Sequence, residues 1–87
     1  MKIGMEIRYS KAAMRALARS NKRHLLFEKI ALLAEDPSAL EKNVTRLKGR
    51  SESRLRVQDW RVIFVIEDDT LLIRDIAPRS SAYEDEI

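Results

Sequence analysis

The hydrophobic period of the chain changes near residue 44, and this change constrains the fold more than any other feature. Before it, apolar residues recur at helical spacing, as at Leu26, Ile30 and Leu33, which fall on one face of a helix. After it, apolar and polar residues alternate, as in residues 54–57, which is the pattern of a strand. A chain that joins a helical half to a stranded half must pack helices on a sheet, which indicates an α+β fold.

The helical half predicts one short strand followed by two helices. Residues 5–9 alternate as a strand does. Ser10 is a favourable N-cap for a helix over residues 11–19, and a Ser-Asn pair then interrupts the helical pattern. A second helix is expected over residues 22–35, because Pro37 disfavours helix at the residue before it. The result is a helical hairpin with an apolar stripe on each arm.

The stranded half predicts three consecutive strands. They are expected over residues 54–57, 60–66 and 70–76, and short polar segments join them. Such short connections produce an antiparallel meander. The predicted order is therefore β-α-α-β-β-β, an antiparallel sheet with the helical hairpin packed on one face. Residues 47–53 are expected to form a loop.

Length and composition limit the class of protein. The chain has 87 residues, so one domain spanning residues 1–87 is expected. It has no cysteine and one histidine, so we expect no disulfide, no metal site and no cofactor. Its apolar runs are far shorter than the roughly 20 residues of a membrane span, and its N-terminus does not resemble a secretory leader. A cytoplasmic protein with no membrane partner is expected.

Charge is distributed unevenly along the chain. The formal net charge is +3, but residues 62–87 carry two basic and seven acidic side chains. Residues 46–61 carry two acidic and six basic side chains: Arg46, Lys48, Arg50, Arg54, Arg56 and Arg61. Arginine donates from a planar fork that suits phosphate, so this segment favours a polyanionic partner. A solvated strand face would have the same composition, and the sequence alone leaves both interpretations open.

Alternation predicts where three of these arginines point. If Leu55 faces the helices, its neighbours Arg54 and Arg56 face away from them. Arg61 on the next strand is assigned to the same outer face, so the three arginines are expected to converge on one concave surface. We interpret Trp60 as a core residue of the sheet rather than as a platform for base stacking.

Three segments, taken in order, resemble the RelE/ParE toxin superfamily of bacterial toxin–antitoxin systems. They are Leu47-Lys48-Gly49, the run Arg54–Phe64, and Arg79-Ser80-Ser81-Ala82-Tyr83. The helical hairpin upstream fits in length and order, so the resemblance spans nearly the whole chain. It implies a RelE-like fold.

The resemblance also implies an activity. The RelE branch cleaves messenger RNA in the ribosomal A site, without a metal, by transferring the scissile phosphate to the adjacent ribose 2′-hydroxyl. Arg54 and Arg56 match the family's paired basic residues, and Arg61 matches an arginine that contacts the phosphate. Tyr83 matches a tyrosine that stacks on a base or takes part in proton transfer. Arg79 matches the arginine of a terminal Arg-Ser motif.

The expected site is completed by three further basic residues and limited by two departures from the family pattern. Lys48, Arg50 and Arg74 are assigned to RNA binding, although Arg74 could instead pair only with Asp75 or with the acidic turn before its strand.

RelE carries lysines at the two paired basic positions, and arginine is a poor general base because it does not lose its proton. Ala77-Pro78 stands where many members carry a basic residue or histidine. His24 lies on the second predicted helix and is interpreted as an ordinary helix residue.

The expected partners are a cognate antitoxin, the ribosome and messenger RNA. Three alternatives stay open at this point. The first is the ParE branch, which has the same fold but poisons DNA gyrase. The second is a degenerate toxin that only binds its antitoxin and acts with it as a corepressor. The third is an RNA-binding module unrelated to toxins.

Overall fold

The computed structural model describes residues 5–78, so the predicted site residues Arg79 and Tyr83 lie outside the described part of the chain. The elements in chain order are β1 (Glu6–Tyr9), α1 (Lys11–Arg19), α2 (Arg23–Glu35), a 3-10 helix (Pro37–Asn43), β2 (Val44–Arg46), β3 (Ser53–Val57), β4 (Trp60–Glu67) and β5 (Thr70–Pro78).

The strands form one sheet with the spatial order β1-β5-β4-β3-β2. Strands β2 to β5 pair antiparallel, whereas β1 pairs parallel with β5. The predicted α+β class is confirmed, and so is the order of a strand, a helical hairpin and a strand meander. Two details differ: the sheet is mixed rather than wholly antiparallel, and β2 is an additional strand. Strands β1 and β5 are separated in the chain by both helices and by β2 to β4, so no short hairpin forces them to be antiparallel. Strand β2, with three residues, is too short to show alternation.

Local sequence explains where the helices begin and end. The Ser10 hydroxyl accepts a hydrogen bond from the Ala13 amide at 3.0 Å and so caps α1, as predicted. Helix α2 ends at Glu35, and Pro37 follows at the first turn of the 3-10 helix. Within residues 5–78 no helix combines the length and apolarity that a membrane crossing requires.

The core lies between the helices and one face of the sheet. Leu17, Leu26 and Ile30 contribute from the helices, and each is at most 2% exposed. The sheet contributes buried side chains from its three long strands: Leu55, Val57, Val62, Phe64, Leu71, Ile73 and Ile76. Trp60 is half-buried and packs against this core, in agreement with its interpretation as a core residue. His24 is exposed on α2.

The turn between β3 and β4 places Gln58 in the left-handed region, with φ +54°. This conformation costs a residue with a side chain roughly 1–2 kcal/mol, and glycine adopts it freely. We expect Gln58→Gly to raise the free energy of unfolding by about 0.5–1 kcal/mol, because glycine's larger loss of chain entropy offsets only part of the relieved strain. Urea denaturation followed by circular dichroism measures this difference.

Asp59→Gly is the matched control for this substitution. Asp59 occupies the neighbouring turn position without a positive φ, so glycine there adds flexibility to the unfolded chain and relieves nothing. Equal effects of the two substitutions would contradict the strain argument.

Candidate functional site

The sheet face opposite the helices carries the predicted arginines. In β3, Leu55 and Val57 point into the core, so Arg54 and Arg56 lie on the outer face. The register places Arg54 beside Ile63 and Arg56 beside Arg61 on β4. The three arginines therefore share the outer face, as alternation predicted.

An open groove of about 820 Å³ lies on this face. Among the described residues, two acidic side chains and six basic side chains line it, which gives a net charge of +4. The basic ones are Arg46, Lys48, Arg50, Arg54, Arg61 and Arg74, and the acidic ones are Glu52 and Asp75. We call this the basic groove. Ile63 adds an apolar patch to its lining.

Arg61 and Arg56 occupy unlike positions although they are neighbours across the strands. Arg61 is only 7% exposed and lines the basic groove. Arg56 is exposed and is not part of the lining, so the expectation that all three arginines converge on one concave surface is wrong for Arg56. Like charges directly opposite each other in a sheet are destabilising. The placement of Arg56 opposite Arg61 is consistent with a surface that binds an anion.

A β-bulge brings Arg74 into the groove. On β5, Asp75 pairs with Ile63 and Ile73 pairs with Phe64, so Arg74 is an extra residue between two ladder positions. Both Arg74 and Asp75 consequently line the groove although they are consecutive. Strict alternation would have sent them to opposite faces.

The start of α1 fixes the backbone at this bulge. The Ser10 hydroxyl donates to the Arg74 carbonyl oxygen at 2.6 Å, and the Ser10 amide donates to the Ile73 carbonyl oxygen at 2.9 Å. The same hydroxyl accepts from the Ala13 amide. One serine thus caps the helix and holds the extra residue of β5 in place.

Glu52 forms ion pairs with two arginines of the groove. Its Oε1 lies 3.2 Å from Arg50 Nε, and its Oε2 lies 3.5 Å from Arg74 Nε. The Glu52 side chain is 18% exposed, whereas both arginine side chains are more than half exposed. Among residues 5–78, Arg74 therefore pairs with Glu52 and not with Asp75 or the acidic turn before β5.

The loop between β2 and β3 has a backbone that suits this placement of Glu52. The Leu47 amide donates to the Glu52 carbonyl oxygen at 3.1 Å, and the Arg50 amide donates to the Leu47 carbonyl oxygen at 3.2 Å. Gly49 has φ +73°, which glycine adopts without strain. The loop was predicted, but its carboxylate bridge was not.

The predicted site residues therefore fall into three groups. Five line the basic groove: Lys48, Arg50, Arg54, Arg61 and Arg74. Arg56 shares the outer face outside the lining, while Arg79 and Tyr83 lie outside the described residues. The roles assigned to all eight stay predictions.

Six residues of the groove lining were not assigned to the site from the sequence: Glu52, Asp75, Ile63, Thr45, Arg46 and Leu47. The alternation of charge at Arg50, Glu52 and Arg54 was a visible signal for the first. For Asp75 no signal existed, since its position depends on the bulge.

A perturbed ionisable group lies on the other face of the sheet. Burial raises the pKa of the Tyr9 hydroxyl above its usual value of 10.0. The Tyr9 ring packs edge-on against Phe27, with centroids 6.4 Å apart, and contributes to the core rather than to the groove.

The groove can attract and hold an extended polyanion through its arginines.

Comparison with known proteins places this geometry in a family. Residues 7–83 match the family model described as ParE toxin of type II toxin-antitoxin system, parDE. No curated protein sequence matches the chain at a significant level.

Solved structures of three toxins have the same fold. The archaeal RelE from the RelE-RelB complex of Pyrococcus horikoshii is 26% identical, with a TM-score of 0.74 over 88% of this chain and 97% of that one. The E. coli DinJ-YafQ toxin-antitoxin complex contains a chain 22% identical, with a TM-score of 0.71 over 93% and 99%. The chromosomal ParDE system of P. aeruginosa contains a chain 10% identical, with a TM-score of 0.70 over 85% and 95%.

The E. coli and P. aeruginosa chains are only 22% and 10% identical to this chain, so they show the fold alone. The family model, in contrast, matches most of the sequence. The chain belongs to the ParE toxin family of type II toxin–antitoxin systems, within the RelE/ParE toxin superfamily.

Proposed function

We propose that this toxin is a ribosome-dependent messenger RNA endoribonuclease that acts in the cytoplasm. The basic groove is the observation that carries this proposal, because an open surface with a net charge of +4 suits an extended phosphate backbone. Messenger RNA in the ribosomal A site would lie along it, with Arg54, Arg61 and Arg74 against successive phosphates. Arg56, Arg79 and Tyr83 are further proposed site residues.

The reaction is a phosphoryl transfer within the RNA. The ribose 2′-oxygen forms a bond to the adjacent phosphorus, the bond from phosphorus to the 5′-oxygen breaks, and a proton moves from the 2′-hydroxyl to the leaving oxygen. Arg54 and Arg61 stabilise the negative charge that builds on the phosphate oxygens. Neither arginine can accept the 2′-hydroxyl proton, so their contribution is electrostatic. Tyr83 is the residue that we propose for base stacking or proton transfer.

A cognate antitoxin is the proposed protein partner. The archaeal RelE relative was solved with RelB, and the E. coli YafQ relative with DinJ. The basic groove suits an antitoxin segment that carries acidic side chains, which would cover the site and inhibit the toxin.

Poisoning of DNA gyrase is the second candidate function. The match to the ParE toxin family model favours it. A toxin that had lost both activities and served only as an antitoxin partner and corepressor would still have this fold. The arginine content of the groove favours RNA cleavage over these alternatives.

Primer extension on messenger RNA in a purified translation system tests the proposal. We expect new 5′ ends within A-site codons when the toxin and ribosomes are both present, and intact RNA when ribosomes are omitted. Intact RNA in both samples, together with inhibition of gyrase in a supercoiling assay, would support the second candidate. Intact RNA with active gyrase would leave the corepressor role.

A further inference from the structure

We infer that Glu52 is an internal competitor for the phosphate groups that bind in the basic groove. Its carboxylate holds Arg50 and Arg74 in the free toxin, and an RNA phosphate displaces it when RNA binds. The inference depends on the proposed function for the identity of the ligand. It concerns how tightly that ligand binds and how the affinity changes with salt.

The geometry of Glu52 is that of a bound anion. Each carboxylate oxygen faces one guanidinium, Oε1 at 3.2 Å from Arg50 Nε and Oε2 at 3.5 Å from Arg74 Nε. A phosphate presents two oxygens to two arginines in the same manner. The carboxylate thus occupies the position where these two arginines would hold an external phosphate.

Burial distinguishes Glu52 from an ordinary surface acid. Its side chain is 18% exposed, against 66% and 61% for the partners of the exposed Arg8–Glu6 pair on β1. A shielded pair is screened less by salt than an exposed one. Glu52 therefore reduces the attraction of the groove for anions more than an exposed acid at the same distance would.

The placement of Glu52 makes its displacement structurally simple. It precedes β3 and lies outside the sheet ladder, while Arg74 is the extra residue of the β5 bulge. The Arg50 and Arg74 side chains remain about half exposed. Both guanidinium groups can turn from the carboxylate to an incoming phosphate without breaking a strand.

Glu52→Gln tests the inference because it keeps the shape of the side chain and removes the charge. The probe is a fluorescent 2′-O-methyl oligouridylate, which has no free 2′-hydroxyl and stays intact. Fluorescence anisotropy over a range of salt concentrations gives its affinity. We expect the variant to bind about 3- to 10-fold more tightly at low salt, since two arginines are released. The slope of log affinity against log salt should become steeper by about 0.7–1.4, the value for one or two more phosphate contacts on a single strand.

Glu67→Gln is the matched control. Glu67 ends β4, is exposed and is not part of the groove lining, yet its substitution changes the net charge of the chain equally. We expect a much smaller gain from it. Equal gains would show a general charge effect and overturn the inference. Weaker binding by the Glu52 variant would also overturn it, since Glu52 would then serve to position the two arginines for RNA. If neither the wild type nor any variant binds the oligouridylate, the inference is also overturned.

Glu52→Asp tests the same claim if Glu52→Gln does not fold, because it keeps the charge and shortens the side chain by one carbon. The shorter carboxylate no longer reaches both Arg50 and Arg74, so we expect tighter oligouridylate binding than in the wild type, and unchanged or weaker binding would contradict the inference. A separate outcome concerns the proposed function alone. If the wild-type toxin fails to cleave RNA on ribosomes while Glu52→Gln still tightens oligouridylate binding, the cleavage proposal fails and the competitor role of Glu52 stands.

Discussion

Arg61→Ala is expected to reduce the rate of ribosome-dependent messenger RNA cleavage by about 10²–10³-fold, the usual effect of removing one charge-stabilising donor from a reaction centre. Arg61 is the most buried arginine of the basic groove, with 7% of its surface exposed. Its charge is therefore shielded from solvent and acts strongly on a phosphate held there. Primer extension under single-turnover conditions measures the rate.

Three comparisons make this prediction specific. Arg61→Lys keeps the charge but loses the planar fork, so we expect an intermediate rate. Arg56→Ala removes the neighbouring arginine outside the groove lining and should reduce the rate less than Arg61→Ala does. Arg8→Ala removes an exposed arginine of β1 and should have no effect. A melting temperature must be recorded for each variant. Full cleavage by a folded Arg61→Ala toxin would contradict the proposed role of the groove.

Leu55→Ala is expected to lower the free energy of unfolding by about 2–5 kcal/mol, as is usual for a large core side chain replaced by alanine. Leu55 is fully buried on β3, between the two strand arginines. A domain of this size has a stability of about 5–15 kcal/mol, so the variant would lose a large fraction of it. Urea denaturation measures the loss.

Met14→Ala provides the control for this core substitution. Met14 is 51% exposed on α1, so its replacement should change the stability by no more than about 0.5 kcal/mol. A similar loss from both substitutions would show that the core does not lie between the helices and the sheet. Leu55→Ala should also lower the amount of active toxin without changing the cleavage rate of the folded fraction. That result separates a role in folding from a role in the site.

Local sequence was sufficient to predict the helices and the three long strands. Ser10 and Pro37 mark helix boundaries through capping and backbone geometry, which depend on a few neighbouring residues. The pairing of β1 with β5 could not be predicted in the same way, because it joins segments about sixty residues apart whose own patterns carry no information on direction. The three-residue strand β2 lacked enough residues for a period to be visible.

The candidate site was predictable to the extent that alternation determines it. Alternation correctly placed Arg54, Arg56 and Arg61 on one face. Alternation could not show that the groove lies toward β2 and the loop after it. Because the groove lies there, Arg56 is not part of its lining. Alternation also could not place Glu52, whose contacts depend on a loop and on the bulge of β5.

The bulge at Arg74 changes which residues of β5 face the core on either side of it. Leu71 and Ile73 face inward before the bulge, and Ile76 faces inward after it, three positions on instead of two. Without the bulge, regular alternation along β5 would turn Asp75 toward the core and Ile76 away from it. The side chain at position 74 has no share in the packing that the bulge makes possible. Substitution can therefore alter the ligand preference of the groove at this position while the hydrophobic interior stays as it is.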